Sequence, residues 1–157
     1  MHRKIIPDLI ENERPKRDGR VCELPVESTA FEAAQQMADC NVAAIAVTDE
    51  DGKLKGIVTE RDLTRRVMGA RLDPRETKLS QIMTRDPDTL RPNDSALDAL
   101  KKMHLGRYRH MPVVTDGGIV VAMVSIRHLY AAIQLDLEDD VQEYRSFVFD
   151  TGYGARQ

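Results

Sequence analysis

Gly56-Ile57-Val58-Thr59-Glu60-Arg61-Asp62 closes an apolar, strand-like run and opens a helix, and its reading decides the fold. At such a junction backbone amides point out of a helix N-terminus, which favours an anionic or polar ligand. A hydroxyl and a carboxylate three residues apart lie on one face of the first turn. The hydroxyl can bond a phosphate or sugar oxygen, and the carboxylate can accept two hydrogen bonds from a ribose diol. Gly56 lets a ligand approach the backbone closely. Thr-x-x-Asp is also how an ordinary helix start caps itself, so the stretch has to be read with its surroundings.

Those surroundings repeat. A shift of 66 positions carries Leu24 onto Leu90, Ala30 onto Ala96, Met37 onto Met103, Val47 onto Val113, Gly52 onto Gly118, Val58 onto Val124, Arg61 onto Arg127 and Leu63 onto Leu129. The same shift pairs Thr59 with Ser125, Gly56 with Ala122 and Asp62 with His128. One register held without a gap over this length identifies a tandem duplication.

Length and composition set the outer bounds. A chain of 157 residues suits two half-domains that share a core. With 31% charged residues and a net charge of -3 it carries no basic field for a polyphosphate backbone, which argues against general nucleic-acid binding. No apolar run reaches the roughly 20 residues of a membrane helix, and the polar N-terminus does not read as a signal peptide. A cytoplasmic protein with no membrane association is expected. Cys22 and Cys40 have neither CxxC spacing nor histidine partners nearby in sequence, so buried reduced thiols are expected rather than a disulfide or a metal site.

Residues 1–20 read as an arm, with an apolar patch at Ile5, Ile6, Leu9 and Ile10 before a charged connection. Residues 21–78 form the first repeat, residues 79–135 the second, and residues 136–157 an acidic then aromatic tail. Within the first repeat, residues 21–26 suit a strand. Thr29 and Glu32 form a capping box ahead of a helical stripe at Ala30, Ala33, Ala34 and Met37. Residues 42–47 and 54–58 suit two strands of a hairpin turning at residues 49–52, and Leu63, Val67 and Met68 mark a short second helix before Gly69. Residues 70–77, with Asp73-Pro74, link the repeats. The second repeat follows the same order, its closing helix covering residues 125–135. Each half is strand, helix, strand, strand, helix, an α/β unit with too little apolar surface to be stable alone. Two halves packed sheet to sheet would bury one continuous core.

The tandem order, the Gly-x-x-Thr-x-x-Asp at Gly56, Thr59 and Asp62, the Ile82-Met83-Thr84 segment and His110-Met111-Pro112-Val113-Val114 together resemble a pair of CBS domains, the regulatory unit also called a Bateman module. The resemblance covers residues 20–135. It implies two pseudo-twofold-related β-α-β-β-α repeats packed through their sheets, with an adenosine nucleotide or related adenosyl ligand held between them. In the first repeat the match is complete. Thr59 is implied to bond the ribose or phosphate, Asp62 to take the ribose hydroxyls and Ile57 to lie against the adenine. From the second repeat, Thr84 and the segment Tyr108-Arg109-His110 are implied to complete that cleft and bring phosphate donors. The second cleft, around Ser125 and His128, departs from the pattern at Ala122 and His128. An imidazole cannot accept two bonds from a diol as a carboxylate can, so one good site and one degenerate site are expected. AMP, ADP or ATP fit the resemblance best, with NAD(H) or S-adenosylmethionine also within it, and no metal beyond a nucleotide counterion.

Residue by residue, plainer readings stand beside these. Arg107, Arg109 and His110 precede a strand, where a phosphate role and a solvated edge are both open. Arg61, Arg65 and Arg66 read as an exposed helix face, and His104, His110 and His128 lack a carboxylate or thiol at ligand spacing. Nothing resembles a nucleophile elbow, a P-loop or a catalytic carboxylate pair, so no catalytic residue is assigned. The expectation is a non-catalytic sensor that pairs as a homodimer through a face with Leu63, Val67, Leu129 and Ile133 and acts on an unidentified regulated protein. The alternative is a scaffold with vestigial clefts, working through its dimer surface and tails.

Overall fold

The computed structural model describes residues 21–150. The N-terminal arm and the tail segment Gly152-Tyr153-Gly154 lie outside the described residues. In chain order the elements are β1 (Glu23–Pro25), α1 (Ala30–Cys40), β2 (Ala44–Thr48), β3 (Leu54–Thr59), α2 (Glu60–Asp62), α3 (Leu63–Met68), α4 (Leu79–Ile82), β4 (Thr84–Arg85), α5 (Ala96–Gly106), β5 (His110–Val114), β6 (Val120–Ser125) and α6 (Ile126–Asp150). Strands β1 to β4 form one sheet in sequence order, and β5 with β6 forms a second.

The duplication holds down to strand register. Ala44 faces Thr59 and Val47 faces Gly56 in the first hairpin; His110 faces Ser125 and Val113 faces Ala122 in the second, and both hairpins slip at the residue after that valine. Leu24 pairs with Val47 in parallel, and Leu90 pairs in parallel with Val113. Helices α1 and α5 are capped by Thr29 and Ser95 and end on Asn41 and Arg107, both left-handed at φ 54° and 57°. Lys53 bridges to Ile119, its own counterpart under the 66-residue shift, and the Leu54 amide donates to the Gly118 carbonyl at 3.0 Å. The pseudo-twofold therefore passes between the two hairpin turns.

The two sheets meet through Ala46, Val114 and Val120, backed by Leu54 and Met123. This contact is small, and each repeat keeps its own core: one around Met37, Ile45, Val58 and Leu79, the other around Leu90, Met103, Met111 and Leu129. The expected single continuous core is thus three clusters. Alternating strand residues face opposite ways, so Val47 and Val113 pack in their own repeat's core while Ala46 and Val114 face the other sheet.

Several expectations need correction. Cys22 and Cys40 are joined as a disulfide, their Cα atoms 6.8 Å apart. Their spacing in sequence hides the reason: in a parallel strand–helix–strand unit the helix runs back against the strands, so the last residue of α1 returns to the start of β1. Of the face read as a dimer surface, Val67 and Leu129 are fully buried within the subunit, while Leu63 and Ile133 are half-buried against the same cores. The helix after Thr59 continues through π-helical turns over α3, closed by the Gly69 amide donating to the Thr64 carbonyl at 2.8 Å. Helix α6 extends beyond residue 135 through the acidic run. Leu79, Ile82 and Met83 pack in the first core, and Thr84 and Arg85 pair with β3.

Candidate functional site

Strand β3 delivers Thr59 to the helix start, where its side chain accepts from the Asp62 amide while Asp62 Oδ2 accepts from the Thr59 amide at 2.9 Å and from its hydroxyl at 2.8 Å. The two residues form a closed capping box. Asp62 Oδ1 faces Arg66 Nε at 3.5 Å, with the Asp62 side chain 14% exposed. Arg66, expected on an exposed face, also donates to the Ile82 carbonyl at 2.6 Å and the Met83 carbonyl at 3.2 Å. A carboxylate offers about four acceptor positions, so Oδ1 retains room for a sugar hydroxyl without opening the cap. Ile57 is buried and pairs with Thr84, whose side chain is exposed beside it.

Gly56 has a different role from the one expected. A Cβ there would lie 2.6 Å from Met83 Sδ and 2.8 Å from the Thr84 carbonyl oxygen. The close approach is made by the chain itself as β4 crosses β3. At the equivalent position β6 carries Ala122, and among the described residues only β5 pairs with β6.

Tyr108, Arg109 and His110 stand at the entry to β5, against the second repeat's own helix start. His110 faces Ser125, and the Arg109 carbonyl accepts from the Ile126 amide at 2.9 Å. The Ser125 amide donates to His128 Nδ1 at 3.3 Å and the His128 amide to Ser125 Oγ at 3.4 Å, so the imidazole stands where Asp62 stands in the first repeat. Burial pushes the pKa of His110 below the ordinary histidine value, and the neighbouring Arg109 and His128 push it the same way. The Tyr108 hydroxyl donates to Asp88, which raises the pKa of the phenol.

Two open clefts occupy equivalent places in the repeats. The first, about 530 Å³, lies between the end of α1 and the start of α2 and α3, and Arg127 reaches it from the other repeat. The second, about 610 Å³, lies at the end of α5 with Tyr108, Arg109 and Ile126, and Arg61 reaches it from the first repeat. Neither lining includes Ile57, Thr59, Asp62, Thr84, Ser125 or His128; of the expected site residues, Tyr108 and Arg109 line the second cleft. Arg61 is exposed, as the sequence suggested, and from the Thr59–Asp62 turn it lines the second cleft with Tyr108 and Arg109. Its pairing with Arg127 under the 66-residue shift was the available signal. Among the described residues no His, Cys, Asp and Glu group could hold a metal ion, and no helix is long and apolar enough to cross a membrane.

Two βαββα repeats, related by a pseudo-twofold and each presenting a cleft at its second helix start, define a tandem-repeat module. The family model for the CBS domain matches residues 22–69 and 79–135. The chain belongs to the CBS-domain family, as a tandem pair. A CBS domain-containing protein of Arabidopsis thaliana is 39% identical over 110 residues, covering 70% of this chain and 20% of that protein. The chain thus spans about a fifth of the length of the plant relatives it matches. A CBS-domain-containing protein from Agrobacterium tumefaciens superposes with a TM-score of 0.69 at 30% identity, over 80% of this chain and 90% of that one. A CBS domain protein from Pyrobaculum aerophilum, solved in complex with AMP, superposes with a TM-score of 0.69 at 30% identity, over 81% and 94%.

Proposed function

We propose that this CBS pair is a non-catalytic sensor that binds an adenosine nucleotide or related adenosyl ligand between its repeats and passes the binding state to a protein partner. The observation that carries this reading is the intact Thr59–Asp62 turn, with acceptor room left on Asp62 Oδ1 beside Arg66 and with Ile57 and Thr84 next to it on the same sheet. In this reading Asp62 takes the ribose hydroxyls, Thr59 a sugar or phosphate oxygen, and Ile57 with Thr84 the base. Tyr108, Arg109 and His110 supply the phosphate side. The AMP complex of the Pyrobaculum relative supports adenosine as the recognised group. In the second repeat Ser125 and His128 close the turn without a carboxylate, and that turn is the weaker one for a sugar.

A sensor needs a ligand that binds two states unequally. The narrow sheet-to-sheet contact through Ala46, Val114 and Val120 is the hinge about which the repeats would change their angle. The cytoplasmic, homodimeric form of the module belongs to this proposal as well. Isothermal titration with AMP, ATP, NAD and S-adenosylmethionine tests it. One equivalent of ligand is expected for wild type, with affinity reduced about tenfold or more in Asp62→Ala, since a charge-assisted hydrogen bond contributes roughly 1.5–3 kcal/mol. Binding that is indifferent to this substitution would overturn the site assignment, and no binding at all would favour a scaffold with vestigial clefts.

A further inference from the structure

The pseudo-twofold makes the two clefts internal controls for each other, and their charges differ. Where the first has Ala38, Asn41 and Ala43, the second has His104, Arg107 and Arg109 at the positions 66 residues on. Each receives one arginine from the opposite repeat, Arg127 in the first and Arg61 in the second. In the first cleft Glu60 balances Arg127; the second has Ile126 at that position and no acid in its lining. Three guanidinium groups therefore share one cavity, and among the described residues none of Arg61, Arg107 and Arg109 has an ion-pair partner.

Such an arrangement is unfavourable by itself, because like charges repel across a cleft. Backbone geometry adds to the cost. Arg107 holds a left-handed conformation, at φ 57°, where the first repeat uses Asn41, a residue that tolerates that region better. A cation at the C-terminal end of α5 interacts favourably with the helix dipole, which accounts for Arg107 but not for Arg61, which arrives from the other repeat. We infer that the second cleft is a polyphosphate site, and that the module is selective for an adenosine di- or triphosphate over the monophosphate and over S-adenosylmethionine. This rests on the adenosyl reading above, since Arg61, which lines the cationic cleft, belongs to the Thr59–Asp62 turn. Guanidinium forks bind phosphate oxygens in pairs, and three of them match a chain of phosphates better than one.

The test titrates the full chain with ATP, ADP, AMP and inorganic tripolyphosphate, in EDTA so that no divalent cation neutralises the phosphates. The variants are Arg107→Asn with Arg109→Ala, which install the first repeat's own residues, and separately Arg61→Ala; thermal melts verify that each folds. ATP is expected to bind about tenfold tighter than AMP, and tripolyphosphate to compete with ATP; each variant should shrink the ATP preference to about twofold or less, ATP losing more affinity than AMP. Equal affinity for AMP and ATP, or a preference indifferent to the arginines, would overturn the inference while leaving the adenosyl reading intact. Arginine-dependent tripolyphosphate binding that adenosine does not improve would uphold the cationic cleft and overturn the adenosyl reading instead.

Discussion

Asp62 and His128 occupy the same place in a duplicated turn and do different chemistry there. Asp62 accepts from both donors of Thr59 and faces Arg66, whereas His128 accepts through one ring nitrogen. Asp62→Ala should therefore destabilise the free protein by about 0.5–2 kcal/mol through the lost cap, besides weakening ligand; chemical denaturation without ligand measures the first effect alone. Gly56 is constrained by Met83 and Thr84 rather than by a ligand. Gly56→Ala should cost about 1–3 kcal/mol by overpacking, and an unchanged denaturation midpoint would mean that β4 yields easily. His110 sets a pH dependence. Its pKa is depressed in the fold by burial, Arg109 and His128, so unfolding takes up a proton. Its contribution to stability is present above the unfolded value of about 6.5 and is lost as pH falls from there through the folded value. Melting temperature should drop on acidification across that window, and His110→Gln should flatten the slope; an identical slope in the variant would assign the effect elsewhere.

Among the elements, helices α1 and α5 were the most legible in the sequence, because cap and apolar stripe agree at Thr29, Ala30, Ala33 and Met37 and again 66 residues on. The hairpins were legible for a similar reason, with continuous apolar runs bounded by Gly52 and Gly118. What escaped was set by tertiary contact. The short helix α4 and strand β4 carry only six residues between them, and they form because Leu79 and Ile82 fill the first core and Thr84 pairs with Ile57. The disulfide escaped because adjacency of Cys22 and Cys40 follows from the return path of α1, which no local pattern encodes. Closing a loop with a sequence separation of 18 should contribute about 3 kcal/mol. Melting with and without a dithiol reductant should differ by about 5–10 °C, and Cys22→Ser should melt like the reduced protein. Equal melting of oxidised and reduced protein would deny the bond any role in stability.

Across the whole molecule, the 66-residue offset carried most of the reading. It placed the pseudo-twofold, and the bridge between Lys53 and Ile119 lies on that axis. The candidate site was less legible. Ile57, Thr59 and Asp62 could be grouped from their motif, but the neighbours of Tyr108, Arg109 and His110 depend on how the repeats dock. The reach of Arg61 across the interface has no local signature at all. Val67 and Leu129 illustrate the opposite error, since an apolar helix stripe looks alike whether it meets its own core or a partner. The measurement that bears most directly on the sensor account is a thermal-shift panel of AMP, ADP, ATP, NAD, NADH and S-adenosylmethionine on wild type and Asp62→Ala. A ligand at about 100 times its dissociation constant adds about 2.7 kcal/mol, or roughly 5–10 °C for a domain of this size. The account expects such a rise with an adenosine nucleotide and its loss in Asp62→Ala; no rise with any of the six, or a rise that the substitution leaves intact, would contradict it.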